Sequence, residues 1–360
     1  MMNGIIENKI IKADLEEIYA RGYDWKKLDG CSVLITGAYG MLASYIAYFL
    51  LFLRENKSIK VDILLYGRNE KKASARFGEY LNRDYVKFIK TDILSERTTD
   101  LLQVDYVIHA AGIANPRLYG SNPVEVIEPS VIGTYMLLKN CNMDRLSGFL
   151  YLSTCDIYGK LENIENITEE TMGVMDPLDS HSCYGESRRL AETLLVAYYR
   201  EYGIRTLIAR VGHTYGPTMD IYNDPRSFAS FMKCAVCGED IVLHSDGLAQ
   251  RPFCYISDAV AGYMLLLLNG NAGEAYNVTN TDQMISIREI ATLISKLPEK
   301  NVGVVYRERD KNDSYQQDTI NIANKPIEDK LKKLGWKHNV DVKDGFSRVY
   351  SYISGQESHI

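Results

Sequence analysis

Four side chains in this sequence have the types and spacing for proton chemistry. Tyr184 and Arg188 lie in His181-Ser182-Cys183-Tyr184-Gly185-Glu186-Ser187-Arg188-Arg189, at the head of a stretch of helical period, and their spacing of four puts both on one helix face. A cation beside a phenol favours the phenolate and brings a tyrosine towards use as a base near neutral pH. Upstream, Leu152-Ser153-Thr154-Cys155-Asp156-Ile157-Tyr158-Gly159 supplies the Thr154 hydroxyl, able to share a substrate proton with Tyr184, and the Asp156 carboxylate. Taken alone, each piece also reads as an exposed i,i+4 contact or a strand end capped by hydroxyls.

A third segment changes that balance. Gly37-Ala38-Tyr39-Gly40-Met41-Leu42-Ala43 follows a branched apolar run and leads into an apolar helix. Gly37 permits a tight turn, Gly40 lets backbone approach a pyrophosphate, and small Ala43 lets the helix pack close to a sheet. The ligand's charge then meets the helix N-terminus. This is the pattern of a dinucleotide site. An NAD-specific site would carry Asp or Glu at the end of the second strand, where this chain has Tyr66-Gly67-Arg68-Asn69. Arg68 could take the 2′-phosphate of NADP or lie over the adenine, so NAD and NADP both stay open. Asp92, after the third strand, is placed to meet the adenine amino group or to cap the next helix.

Elements must position these groups. Branched apolar runs at 32–36, 61–66, 86–89, 106–109, 149–153 and 205–211 alternate with stretches of helical period. That alternation implies βαβ units and an α/β fold, a doubly wound parallel sheet buried on both faces. Residues 1–30 form an N-terminal extension with an amphipathic helix, packed on the body or on a partner subunit. Residues 31–215 form the dinucleotide-binding domain, to which 250–268 returns. After Pro217 the rhythm changes, so 216–249 and 269–360 are assigned to an interleaved substrate lobe.

Composition narrows the partners. With 41 basic and 47 acidic residues, interspersed, the net charge is −6, and nucleic acid is not expected. The longest apolar run, eight residues from Ile46 to Leu53, is far short of the roughly 20 that cross a bilayer, so no membrane span is expected. Seven scattered Cys and no secretory pattern point to reduced thiols in the cytoplasm. The pair Cys234 and Cys237 lacks a second pair or a nearby His, so no metal is expected.

These motifs together resemble an extended short-chain dehydrogenase/reductase of the nucleotide-sugar epimerase, dehydratase and decarboxylase group, from residue 31 to about 350. The matching pieces are Gly37 to Ala43, Asp92-Ile93, His109-Ala110-Ala111-Gly112, Ser153 to Gly159, Tyr184 to Arg188, Arg210 to Pro217, Arg251 to Asp258 and Tyr276-Asn277-Val278. Tyr215-Gly216-Pro217-Thr218-Met219-Asp220, Arg251-Pro252-Phe253 and Cys183 to Ser187 most resemble UDP-glucuronate decarboxylases.

The resemblance implies a Rossmann domain, a nucleoside diphosphate sugar as substrate, oxidation at sugar C4 with Tyr184 as base, and a homodimer built on two helices. It assigns the cofactor to Gly37, Gly40, Met41, Leu42, Arg68, Asp92, Ile93, Ala110, Ala111, Gly112, Tyr184, Arg188 and His213. It assigns the sugar to Cys155, Asn115 and Arg251, with Thr154 and Asp156 joining Tyr184 and Arg188 in catalysis. Decarboxylation or epimerisation of the 4-keto sugar leads; dehydration trails, because Cys155 stands where dehydratases resemble one another in an acid. A silent nucleotide-binding scaffold is the reading of another class. Two departures stand out: Arg188 replaces the family's Lys, and Ser130 its usual Asn. His109 is expected to be a packed core residue.

Overall fold

Strands buried on both faces read as continuous branched runs, and here the runs become β1 (Ser32–Thr36), β2 (Asp62–Gly67), β3 (Val86–Lys90), β4 (Tyr106–His109), β5 (Gly148–Thr154) and β6 (Thr206–Val211). With β7 (Glu274–Val278) they form one seven-stranded parallel sheet in the order β7-β6-β5-β4-β1-β2-β3. The computed structural model describes residues 4–95, 102–162, 164–307 and 324–357. The remaining parts of the expected extension, dinucleotide domain and lobe, including 308–323, lie outside the described residues.

Period-two alternation divides the sheet between two cores. Val33 and Ile35 of β1 face the core shared with α2 (Met41–Asn56), whereas Leu34 faces Leu137 and Leu138 of α3 (Pro123–Asn140) and Ala191 and Leu195 of α4 (Ser182–Tyr202). The chain reverses its direction across the sheet between β1 and β4, and an open α/β sheet binds ligands at the carboxyl ends of such a pair. Gly37 leaves one of those ends and Ala110 the other.

The N-terminal extension docks on the body. Its helix, Lys9–Tyr19, is capped by Asn8, whose side chain accepts from the amides of Ile10 and Ile11 at 3.0 and 3.3 Å. It covers the outer side of α2, which is why α2 is buried continuously from Ala43 to Leu53 and carries no amphipathic pattern. Arg21 pairs with buried Asp258. Asp14, fully buried, accepts from the hydroxyls of Tyr45 and Tyr255 (2.8 Å for the latter) and from Arg348 Nη1 at 2.7 Å.

Burial pushes the Asp14 carboxyl up to about 6, against the opposing pull of Tyr45, Arg348 and Tyr255. A carboxyl raised in the native state binds more protons folded than unfolded, so its contribution is full below pH 3.8 and is lost as pH rises through about 6. The loss amounts to about 3 kcal/mol, and Asp14→Asn is expected to flatten the fall in stability over that window. Urea unfolding at pH 4, 5 and 6 measures it; parallel slopes in both proteins would remove the assignment.

Beyond β6 the chain builds small sheets. The strand His213–Tyr215 runs parallel to Gln250–Tyr255, which pairs antiparallel with Met284–Ser286. The helix Ile256–Asn269 then returns to the main sheet, buried along almost its whole length. One expected boundary is corrected. Residues 274–278, assigned to the lobe, form β7 at the edge of the main sheet. Its run is broken by the polar Asn277, which is fully buried and held by Tyr158, Glu169 and Ile327.

Candidate active site

The carboxyl end of β5 and the first turns of α4 bring the proton-handling residues together. On α4, Tyr184 and Arg188 share the buried face, 8% and 5% exposed. The Arg188 guanidinium carbon lies 5.1 Å from the centre of the Tyr184 ring. Thr154, the last residue of β5, lies beside the Tyr184 hydroxyl and accepts from the Asp156 amide at 3.2 Å, holding Asp156 at the mouth of the cleft. Tyr119, on the short helix Arg117–Ser121, stacks on Tyr184 with ring centres 5.0 Å apart and 12° between planes.

Electrostatics here run against one expectation. Burial raises the Tyr184 phenol above its ordinary value of 10; Arg188, Thr154 and Arg226 pull it down, and Asp156 pushes it up. The cation acts in the expected direction but does not outweigh burial. For Asp156, burial again leads and raises the carboxyl, with Arg188, Arg251 and Arg226 opposing. Arg226 was not anticipated from sequence: it sits in an Asp- and Pro-rich loop with no periodic signal, its Nε 2.9 Å from both carboxylate oxygens of Asp224.

The loop after β1 fits a dinucleotide. Gly37 has φ +64°, and a Cβ there would sit 2.8 Å from Ala111 Cα. Gly40 caps α2 without a side chain and leads into Met41 and Leu42, no acidic residue occupies the helix's first turn, and the first amides stay available to an anion. Thr36 closes the floor: its hydroxyl accepts from the amides of Ala110 and Ala111 at 3.2 and 3.1 Å and donates to His109 Nδ1 at 2.7 Å. His109 Nε2 donates to the Pro129 carbonyl, and burial lowers the imidazole to about 3, so this His is a neutral packing residue. Arg188 Nε is buried beside the cleft and meets no hydrogen-bond partner among the described residues.

Gly37→Ala is expected to weaken NAD binding at least about tenfold, since Ala is disfavoured at positive φ and its methyl displaces the 110–112 loop. Fluorescence titration with NAD measures it, and wild-type affinity would show that the loop has room.

Other assigned residues fall variously. Arg68 stands 69% exposed at the end of β2, 4.0 Å from Asp92, whose carboxylate accepts from the Leu94 amide as a turn cap. Gly67 has no room for an acidic side chain, because a Cβ would meet the Tyr39 ring at 2.6 Å. Ile93 packs on Gly133 of α3, and Gly112 lies under Arg188 Nη2.

Asn115 accepts from the Arg117 amide, shaping a turn. Two further assigned residues have the following surroundings. His213, on the strand paired with Gln250–Tyr255, feels the charges of Arg251 and Arg226. Cys155 turns its thiol to the Arg210 carbonyl and packs on the cluster of Ile157, Tyr158, Leu161 and Ile167.

Among the described residues no group of His, Cys, Asp and Glu is arranged to hold a metal, and no helix is long and apolar enough to cross a membrane.

Comparison with known proteins matches residues 33–279 to the model of the NAD dependent epimerase/dehydratase family. UDP-glucuronic acid decarboxylase 6 of Arabidopsis thaliana is 30% identical over 315 residues, covering 87% of this chain and 86% of the relative. UDP-glucuronic acid decarboxylase 1 of Xenopus tropicalis is 28% identical over 329 residues, 91% and 73% of the two chains. Among solved structures, the UDP-glucose 4-epimerase of Thermotoga maritima with UDP-glucose superposes with TM-score 0.75 at 22% identity, covering 91% and 99%. The UDP-glucuronic acid 4-epimerase of Bacillus cereus with NAD gives 0.72 at 22% identity, covering 89% and 96%. The sheet order, the glycine loop at the β1–β4 crevice and these matches agree: the chain belongs to the NAD dependent epimerase/dehydratase family.

Proposed function

We propose that this chain oxidises a nucleoside diphosphate sugar at C4 and, with UDP-glucuronate as substrate, releases C6 as carbon dioxide. The observation that carries the reading is the grouping of Tyr184, Thr154 and Asp156 with three cations, Arg188, Arg226 and Arg251. The choice of UDP-glucuronate rests on the activity for which the Arabidopsis and Xenopus relatives are named.

NAD, when bound, takes the hydride from sugar C4 and later returns it. Gly37, Gly40 and the first amides of α2 would hold its pyrophosphate. The chain's own groups handle the protons. Tyr184 accepts the C4 hydroxyl proton, Thr154 shares it, and Arg188 opposes part of the burial cost that raises the phenol. With a ketone at C4, the C6 carboxylate belongs to a β-keto acid. The C5–C6 bond electrons then pass to the C4 oxygen, which Tyr184 meets with its acquired proton. C5 next requires a proton, and Asp156, at the mouth of the cleft beside Thr154, is the carboxyl placed to carry one. Cys155 does not compete, since burial raises its thiol and the thiol faces a backbone carbonyl.

UDP-glucuronate labelled with ¹³C at C6 tests this. Labelled carbon dioxide and a UDP-pentose are expected. Label retained in an epimer would move the reading to epimerisation, and absence of turnover with any nucleotide sugar, despite bound NAD, would leave only a nucleotide-holding scaffold. A homodimer is part of the same reading: Val124, Ile127 and Tyr135 of α3 and Leu190 and Tyr199 of α4 are exposed apolar residues on two packed helices. Seven free thiols support a reducing cytoplasm.

A further inference from the structure

The Arg188 guanidinium is received by groups that no motif marks. Nη1 spends both hydrogens on β5, one on the Tyr151 hydroxyl at 3.0 Å and one on the Leu152 carbonyl at 2.9 Å. Nη2 lies against Gly112, where a Cβ would come within 2.3 Å of it, so only glycine leaves that space open. The guanidinium carbon is 5.5 Å from the centre of the Tyr151 ring and 5.1 Å from that of Tyr184, between the two phenols.

Tyr151 is itself fixed. It is fully buried, Ser130 lies beside its hydroxyl, and its ring is 5.4 Å from that of His109, which Thr36 and the Pro129 carbonyl pin. We propose that Tyr151 is a positioning residue of the reaction: its hydroxyl holds the Arg188 fork beside the Tyr184 ring, in a seat shaped for guanidinium and not for ammonium. The proposal rests on the reading of Tyr184 as the base.

A planar fork can hold two acceptors with one nitrogen while its other nitrogens face elsewhere; the point charge of a lysine has no such geometry. Four other groups face Tyr184. Tyr119 stacks on it, Thr154 lies beside its hydroxyl, Arg226 acts with Arg188, and Asp156 acts against both. Without the Tyr151 hydroxyl, the guanidinium keeps only the Leu152 carbonyl on β5, and the Asp156 carboxylate is the anion that attracts it. The cation would then serve Asp156 at the expense of Tyr184.

The test replaces Tyr184 with site-specifically incorporated 3,5-difluorotyrosine, whose lower intrinsic proton affinity brings titration into the range where the chain stays folded. Its ionisation is followed by ¹⁹F NMR. Tyr151→Phe, which keeps the ring, is expected to raise the midpoint by on the order of one pH unit. Arg188→Lys is expected to raise it too, and the double variant to add little beyond Arg188→Lys, because both act through one contact.

An unmoved midpoint in Tyr151→Phe overturns the proposal, as does full additivity in the double variant. A lowered melting temperature with an unmoved midpoint assigns Tyr151 a structural role only, and also overturns it. The titration needs no substrate, so its outcome is separate from whether any nucleotide sugar turns over.

Discussion

Tyr184→Phe is expected to lower turnover at least about 1,000-fold while NAD affinity stays within about twofold, the loss typical of removing a positioned acid–base group. The ring would stay where it is: it is 8% exposed and stacked on Tyr119 at 5.0 Å, contacts that Phe retains. What disappears is the oxygen beside Thr154 and Arg188. The effect therefore falls on kcat and spares cofactor binding, which the glycine loop and α2 provide. Steady-state kinetics paired with a fluorescence titration separates the two. A variant keeping more than about a tenth of wild-type turnover would remove Tyr184 as the base.

Arg210→Met is expected to cost about 3–5 kcal/mol of stability, because it strips one partner from a buried ion pair. Arg210, on β6, meets Glu192 of α4 through Nη2 at 2.8 Å and through Nε at 3.2 and 3.3 Å, each side chain only 10% exposed. The same Arg210 donates to the Tyr158 hydroxyl at 3.1 Å and the Glu169 carbonyl at 2.7 Å, and Glu192 accepts from Ser153 at 2.6 Å.

This network underlies the strand end that carries Thr154 and Asp156. Losing it leaves the Glu192 carboxylate buried without a counter-charge. Pairing Arg210→Met with Glu192→Leu should recover much of the loss, since the unpaired charge goes too. Denaturant unfolding of both variants measures this. A loss below about 1 kcal/mol in the single variant would mean that water reaches the pair and screens it.

Much of this was legible in the sequence, for identifiable reasons. Parallel strands covered on both faces leave unbroken branched runs, so the six runs were readable, although the register that seats Ser32 beside Asp62 was not. Gly37 and Tyr184 were readable because backbone approach to phosphate and a phenol one turn from a cation constrain residue type.

The seventh strand was missed because Asn277 breaks its apolar run and is satisfied by groups far along the chain. The role of Tyr151 was not legible, since nothing in a run of buried residues shows which hydroxyl meets a guanidinium from another element. The orientation of Cys155 was likewise hidden, because a tight turn after β5 decides which neighbour faces the cleft. Burial also set the direction for Tyr184. The spacing to Arg188 shows a charge that lowers the phenol; the larger cost of enclosing it appears only when Tyr119 and the surrounding strands are in place.

The most direct measurement of the central claim, removal of hydrogen from sugar C4 with Tyr184 as base, is a single turnover of the NAD-loaded protein with UDP-glucuronate carrying deuterium at C4. Absorbance of the bound cofactor is followed at about 340 nm. A rise and decay are expected, with the rise slowed severalfold by deuterium and absent in Tyr184→Phe. A flat trace with NAD bound, or a rise indifferent to the label, would contradict it.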